Sequence, residues 1–176
     1  IESGHHQGYF AVKRFDHIKN RRFHTHSISG LLHHNFRIPS LDYEQIFQVV
    51  WSLTQSISEL EQLFLQLVFN VVFHNRDDHG KNFSLLMDEK GAWKLSPSYD
   101  LTFSFGPNGE HCTTIMGEGK SPKKEHLLKT SSLYNFSKNK TKELIERVIE
   151  TSEQWENLAK NAGINSNRIS EIKKRF

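Results

Sequence analysis

Cysteine, proline and methionine are scarce in this chain of 176 residues. It contains a single cysteine, Cys112, together with four prolines and two methionines. A single cysteine excludes an internal disulfide framework and a zinc site built mainly from cysteine. The lack of disulfides favours a reducing compartment, and we predict a cytoplasmic protein.

Long apolar runs are also missing. The longest, residues 63–73, is interrupted by Gln66 and Asn70. It is much shorter than the roughly 20 apolar residues that a membrane span needs. The first ten residues contain two histidines and no apolar core, so no signal peptide is visible. We therefore predict no membrane association.

Neither sign of charge is in large excess. The 23 basic and 20 acidic residues give a net charge of +3 with histidine neutral. This weakly basic balance does not indicate a nucleic-acid-binding surface, and we predict no direct nucleic-acid contact. Hydrophobic residues make up 36% of the chain and include 13 phenylalanines. That content is enough for the core of one domain, or of one lobe of a larger protein.

Periodicity predicts an α+β fold that is predominantly helical. Residues 9–15 suit a strand or an extended linker. A short helix is expected near residue 27, and Ser40 or Asp42 is expected to cap the next helix. Residues 58–73 repeat apolar side chains at three- and four-residue spacing, which predicts a buried central helix. Residues 83–87 and 93–95 flank a turn and predict a β-hairpin. Further helices are expected over residues 123–134, 140–149, 152–162 and 166–174.

A polar loop after the predicted central helix contains Asp77, Lys81 and Asn82, and Asp100 follows the hairpin. In kinases an aspartate accepts the substrate hydroxyl proton, an asparagine five residues later holds magnesium, and a second aspartate completes the metal site. Asp77 and Asn82 have this separation, and Asp100 occupies the expected place of the second ligand. Asn82 and Asp100 both offer the hard oxygen atoms that Mg²⁺ prefers. We expect Lys81 to offset charge at the transferring phosphate.

Three segments resemble the HipA-like kinases, which are the toxin halves of bacterial toxin–antitoxin pairs. Residues 77–84, DDHGKNFS, resemble the family's Asp-x-His-x-Lys-Asn-x-Ser signature. Residues 95–101, LSPSYDL, resemble its Leu-x-Pro-x-Tyr-Asp segment, and residues 11–16, AVKRFD, resemble the stretch that joins its two lobes. The resemblance implies the C-lobe of the protein-kinase fold, with the β-hairpin at the active site.

The resemblance implies Mg²⁺·ATP-dependent phosphorylation of serine or threonine on a protein. Asp77 would be the catalytic base, assisted by Lys81, while Asn82 and Asp100 would hold the metal. The ATP-binding residues that it implies are Lys13, Arg14, Phe15, His79, Gly80, Lys81, Asn82, Tyr99, Asp100 and Leu101. It also implies a protein substrate, for which an aminoacyl-tRNA synthetase is one candidate, and an antitoxin partner of a kind that can bind DNA.

The resemblance divides the chain into an inter-lobe (hinge) strand at residues 1–16 and a kinase C-lobe at residues 17–176. The family's N-terminal lobe, with its phosphate loop and strand lysine, has no visible counterpart. Lys13 would suit that lysine, but the following Arg14-Phe15-Asp16 fit the hinge better. We therefore expect this chain alone to bind ATP weakly and to be inactive without that lobe.

Two other functions remain open. The chain could be a kinase-like module that binds a partner without catalysis, although intact Asp77, Asn82 and Asp100 argue against that. It could also be a phosphotransferase for a small molecule, because such enzymes use the same loop chemistry. For Asp100 itself, a helix N-cap is an alternative role that does not exclude metal binding.

Two further patterns favour ordinary structural roles. The histidines at positions 24, 26, 33 and 34 have no cysteine or acidic partner at zinc spacing, and we expect them at the surface. Residues 117–121, GEGKS, resemble a phosphate loop. Thr114 stands where a Walker motif needs glycine, so we predict a surface turn.

Overall fold

The computed structural model describes residues 11–35, 37–38 and 40–176. The fold is α+β and mainly helical, as predicted. Part of the strand or linker predicted at residues 9–15 lies outside the described residues. Residues 11–15 belong to no strand or helix. A short helix, α1 (Ile28–Leu31), is present near residue 27 as expected, and Ser27 is its N-cap.

Helix α2 (Tyr43–Thr54) begins at a capping box. The side chain of Asp42 accepts a hydrogen bond from the Glu44 N–H, and the side chain of Gln45 accepts one from the Asp42 N–H. These bonds satisfy N–H groups that the first turn leaves without helical partners. Of the two predicted caps, Asp42 is therefore the one that the chain uses.

Helix α3 (Ile57–Val72) is the central helix of the core, one residue offset from its predicted position. Its side chains that lie fully inside the protein are Leu60, Leu63, Phe64, Leu67 and Val68. It packs against α2 on one side and against α5 (Lys138–Glu153) on the other. The broad apolar face seen in the sequence is thus explained by two helical neighbours.

A three-stranded antiparallel sheet contains the predicted hairpin. Strands β5 (Ser84–Met87) and β6 (Trp93–Leu95) form the hairpin, and β3 (His24–Ser27) pairs with the other edge of β5. Strand β3 was not predicted, because its His-Thr-His-Ser composition has little of the β-branched or aromatic character that marks strands. His24 lies against Trp93, with ring centroids 5.5 Å apart, which gives this histidine a packing role on the sheet.

Two very short pairings complete the β structure. Strands β1 (His17–Ile18) and β2 (Arg21–Arg22) form a separate hairpin. Strand β4 (Leu41–Asp42) pairs in parallel with β7 (Thr113–Thr114). The second pairing matters for the site, because it brings residues far apart in sequence to the start of α2.

The C-terminal part is helical, and all four helices expected there are present with shifted bounds. They are α4 (Lys124–Leu133), α5, α6 (Trp155–Asn161) and α7 (Ser166–Lys173). Around α7, the guanidinium groups of Arg168 and Arg175 lie over the rings of Phe103 and Phe105. In the part of the chain that the structure describes, no helix has both the length and the apolar character that crossing a bilayer requires.

The central position of α3 generates a stability prediction. Replacing Leu67 by alanine should lower the free energy of unfolding by about 2–5 kcal/mol, because it opens a cavity among fully buried side chains. Gln62→Ala on the exposed face of the same helix is the control and should change it by less than about 0.5 kcal/mol. Urea titration measures both values. Equal effects of the two variants would contradict the central placement of α3.

Candidate active site

Residues 77–82 form a loop, here called the acidic loop, that one side chain closes. The Asn82 side-chain N–H₂ donates to the backbone carbonyl of Asp77 over 2.9 Å, and the Asn82 N–H donates to the His79 carbonyl over 2.8 Å. The five-residue separation of Asp77 and Asn82 in the sequence therefore corresponds to a direct contact.

Asp77 and Asp78 have opposite environments although they are adjacent. The Asp77 side chain is 50% exposed, whereas that of Asp78 is 0% exposed. A half-exposed carboxylate can meet a substrate, and a wholly buried one must be held by protein donors. The geometry therefore leaves Asp77 as the acidic side chain of this loop that is open to chemistry.

A cavity of about 810 Å³ surrounds Asp77, and it is here called the Asp77 cavity. His79 and Cys112 line it, with Nε2 of His79 4.0 Å from the Asp77 carboxylate and the Cys112 thiol donating to the same carboxylate over 3.7 Å. Burial, followed by the charges of Asp78 and Asp77, raises the pKa of Cys112 to about 12. The thiol is therefore protonated at neutral pH and serves as a donor. The other residues that line the Asp77 cavity are Arg37, Ser104, Phe105, Gly106, Pro107 and Asn108.

A second and larger groove, of about 1050 Å³, is here called the Tyr99 groove. It brings together six of the residues that the sequence assigned to ATP: Lys13, Arg14, Phe15, Tyr99, Asp100 and Leu101. Phe15 and Tyr99 lie with their ring centroids 5.6 Å apart. Residues separated by more than 80 positions thus form the walls of one groove.

Tyr99 connects this groove to the acidic loop. Its hydroxyl donates to the Lys81 carbonyl and lies 2.6 Å from the Ser84 hydroxyl. Burial raises the pKa of Tyr99, the Ser84 hydrogen bond opposes this, and the negative charge of Asp100 adds to the increase. Tyr99 therefore stays protonated and holds the backbone of Lys81 beside the groove.

The remaining predicted residues lie elsewhere. His79 lines the Asp77 cavity, while Gly80, Lys81 and Asn82 belong to the loop that connects the two spaces and are among the lining residues of neither. Gly80 instead packs inward, where its carbonyl accepts from the Ser29 N–H over 3.0 Å. Gly80 therefore has a packing role, and its contact with a nucleotide stays a prediction.

Asn82 and Asp100 suit a magnesium ion in the chemistry of their donors. The nitrogen of the Asn82 amide is engaged by Asp77, so its oxygen is the atom available to a metal. Asp100 is an exposed carboxylate in a left-handed backbone conformation, with φ 54°. No cluster of three or more His, Cys, Asp or Glu ligands exists among the described residues. Mg²⁺ commonly takes only one or two carboxylates and completes its shell with water and phosphate oxygens, so this donor set fits it.

The alternative role of Asp100 as a helix N-cap is wrong. Asp100 lies in a segment without helix, and the next helical residues, Pro107–Gly109, begin after Gly106. The GEGKS run is a turn, as predicted: the Glu118 carboxylate accepts hydrogen bonds from the Lys120 and Ser121 N–H groups.

A buried polar network, which the sequence did not predict, lies behind the acidic loop. Oδ2 of Asp78 accepts from the Tyr43 hydroxyl over 3.0 Å and from Nδ1 of His111 over 2.8 Å. Asn70 donates to the Tyr43 hydroxyl and accepts from the Asn75 side chain, each over 2.9 Å. Burial, and then the charge of Asp78, raises the pKa of Tyr43 well above its usual value. The one available signal was Asn70, a polar side chain inside the apolar run of α3.

The sequence profile of the family described as HipA-like C-terminal domain matches residues 1–156. The protein named Putative kinase Y4mE of Sinorhizobium fredii is 56% identical over 34 residues, which cover 19% of this chain and 8% of that protein. The protein named Putative kinase of Haemophilus influenzae is 24% identical over 110 residues, which cover 57% of this chain and 32% of that protein.

A solved structure has the same fold. In the complex of HipA, HipB and operator DNA from Shewanella oneidensis MR-1, the matching chain superposes with a TM-score of 0.71 at 15% identity. The match covers 93% of this chain and 46% of that one. The expected likeness to the HipA fold is thereby confirmed, and the chain spans less than half the length of each of these three proteins.

Close packing at Gly80 predicts the effect of adding one methyl group. A Cβ at this position would lie 2.7 Å from the Ser29 hydroxyl oxygen and 3.0 Å from Cδ2 of Leu41. Gly80→Ala should therefore lower the free energy of unfolding by about 1–3 kcal/mol. Gly119→Ala, where the nearest atom would be 3.4 Å away, is the control and should have little effect.

Among the residues that the structure describes, the buried Ser29 hydroxyl has no hydrogen-bond partner, so Ser29→Ala should be neutral or stabilising. In that background the penalty of Gly80→Ala should shrink, and thermal melts of the four variants measure this coupling. A Gly80→Ala protein with wild-type stability would contradict the packing.

His74 generates a prediction for pH. Burial, followed by electrostatic interactions with Arg76, His111 and Arg175, lowers the pKa of His74 to about 4. The unfolded chain, with a pKa near 6.5, therefore takes up a proton first as the pH falls. This contribution to stability is complete above about pH 6.5 and is lost progressively towards pH 4.

The measurement is the free energy of unfolding between pH 6.5 and 4 for the wild type and for His74→Asn. Asparagine tolerates the left-handed backbone of this position, φ 54°, and does not titrate. The variant should lose less stability over this range. Parallel curves for the two proteins would show that His74 does not titrate as described.

Proposed function

We propose that this chain, which belongs to the family of HipA-like C-terminal domains, carries the catalytic base and the metal ligands of a Mg²⁺·ATP-dependent serine/threonine protein kinase. We propose further that the protein acts as the toxin of a bacterial toxin–antitoxin pair. The family and the kinase-named relatives support a kinase-family role. The cofactor, the substrate class and the residue roles are parts of the proposal.

The observation that carries the proposal is the placement of the Asp77 carboxylate. Asp77 is half-exposed in a cavity, and its backbone carbonyl is held by Asn82. A carboxylate so placed can accept the proton of a serine or threonine hydroxyl in the Asp77 cavity as that hydroxyl attacks a phosphate. The side chain of Lys81 would offset the charge that develops on the transferring group.

The Tyr99 groove is the proposed nucleotide site. Phe15, Tyr99 and Leu101 offer apolar surface to an adenine, and Lys13 and Arg14 add positive charge and backbone groups. Asn82 and Asp100 would hold Mg²⁺, which when bound would neutralise charge on the phosphate oxygens. Tyr99 supports this arrangement because its hydroxyl donates to the backbone carbonyl of Lys81, which connects the groove to the acidic loop.

The proposed partners follow from the family. The Shewanella oneidensis structure is a complex of HipA, HipB and operator DNA. By analogy, we propose that the protein containing this chain binds an antitoxin protein. Its phosphorylated substrate is proposed to be a protein, with an aminoacyl-tRNA synthetase as one candidate.

Asp77→Asn tests the proposed base. The amide keeps the shape of the carboxylate but cannot accept the proton, so phosphate transfer should fall by about 10²–10⁴-fold with little change in melting temperature. Glu89→Gln is the matched control, because its carboxylate is 76% exposed on the hairpin turn, and it should transfer phosphate at the wild-type rate.

The assay uses the protein expressed from its complete reading frame, with γ-labelled ATP and a cell lysate. The label should appear on serine or threonine of a protein. Label that appears only in small molecules would favour the alternative phosphotransferase. Undiminished transfer by Asp77→Asn would show that Asp77 is not the base.

A further inference from the structure

We propose that His111 is a positioning residue, which acts through Asp78 to hold Asp77 in the geometry needed for phosphoryl transfer. This inference rests on the proposed function, because it assigns a role within the same site. His111 lies outside the three segments that carried the family resemblance, and it lines neither the Asp77 cavity nor the Tyr99 groove.

The first observation is the burial of the pair. Nδ1 of His111 and Oδ2 of Asp78 are 2.8 Å apart, and the two side chains are 1% and 0% exposed. Removing a carboxylate from water is strongly unfavourable unless protein donors replace the water. Asp78 has three such donors: the Tyr43 hydroxyl, the Thr113 N–H and His111. Its position is therefore determined by these contacts.

The second observation is that residues 111–113, here called the His111 segment, contact three consecutive residues of the chain. The Cys112 N–H donates to the Arg76 carbonyl over 3.0 Å, and the Cys112 thiol contacts the Asp77 carboxylate. The Thr113 hydroxyl donates to the Asp78 carbonyl over 2.5 Å. The segment itself is anchored, because the His111 N–H donates to the Gly119 carbonyl over 2.8 Å. The path of the backbone at Asp77 is thus determined by this segment.

A third observation separates positioning from overall stability. Among the described residues, the contacts of the Asp77 carboxylate itself are long, 3.7 Å to the thiol of Cys112 and 4.0 Å to His79. The placement of that carboxylate therefore depends mainly on the backbone, which is held by the contacts of Asp78 and by the bond from Asn82 to the Asp77 carbonyl. If the His111 side chain is removed, Asp78 keeps two donors, and the protein should therefore remain folded. The loss of the third donor should allow the acidic loop to shift. A shift of about 1 Å at a catalytic group can cost about 10²-fold in rate.

Two variants of similar size isolate the hydrogen bond. In His111→Asn, the amide nitrogen can take the place of Nδ1 and donate to Asp78. In His111→Leu, the side chain has the same branching but no donor. We expect His111→Leu to lower kcat by about 10–100-fold with the KM for ATP unchanged within about twofold. We expect His111→Asn to keep kcat within about fivefold of the wild type.

The kinetic assay uses the protein expressed from its complete reading frame, well below the melting temperature of each variant. Wild-type kcat in His111→Leu would overturn the proposal. Equal losses in the leucine and asparagine variants would do the same, because a purely structural role depends on packing and both variants change the packing. If His111→Leu does not fold, His111→Ala replaces it, since alanine also lacks the donor to the Asp78 carboxylate. Its kcat should fall by a similar factor, and a wild-type kcat would overturn the proposal.

A second readout does not require activity. Hydrogen exchange of the Asn82 and Cys112 amides reports on the loop, because both amides donate to neighbouring carbonyls in the folded protein. Their exchange should accelerate in His111→Leu and stay near the wild-type rate in His111→Asn, while amides of α5 remain unchanged. A wild-type protein that transfers no phosphate would defeat the proposed function. Exchange alone would then decide whether His111 holds the loop, and unchanged exchange in His111→Leu would overturn that role.

Discussion

The buried carboxylate of Asp78 imposes the constraint on which the site depends. A wholly buried acidic side chain is tolerated only when donors surround it, and here they come from the start of α2, from β7 and from His111. These elements are far apart in sequence. Satisfying one carboxylate therefore joins the first core helix, the loop after the central helix and the segment before α4. The parallel pairing of β4 with β7 also joins the start of α2 to the segment before α4, through backbone hydrogen bonds.

The buried contacts of Asp78 hold the acidic loop against the protein interior, while the Asp77 side chain stays half-exposed. Asp77 can be half-exposed because its neighbours, and not its own carboxylate, hold the backbone. Tyr99 extends the same support to the wall of the larger groove, through its contact with the Lys81 carbonyl. Tyr99 therefore connects the two spaces, of which we propose that one receives an acceptor hydroxyl and the other a nucleotide. Phosphoryl transfer requires relative placement of this kind more than it requires covalent chemistry.

Local patterns in the sequence were sufficient for the core helix α3, the hairpin and the acidic loop, because periodicity and turn residues determine them within a few positions. They were not sufficient for β3, whose pairing depends on a neighbouring strand about 60 residues away. The bond between Asp78 and His111 spans 33 residues and leaves no local pattern. The close contact of Gly80 with Ser29 also leaves no local pattern, and the predicted contact of Gly80 with a nucleotide stays a prediction. Roles set by long-range packing thus escaped prediction.

The most direct test of the central claim is a crystal structure of the protein, expressed from its complete reading frame, with Mg²⁺ and a non-hydrolysable ATP analogue. We expect the adenine in the groove beside Phe15 and Tyr99. We expect the metal about 2.1 Å from the side-chain oxygens of Asn82 and Asp100. A nucleotide bound away from that groove, or a metal that contacts neither side chain, would contradict the account.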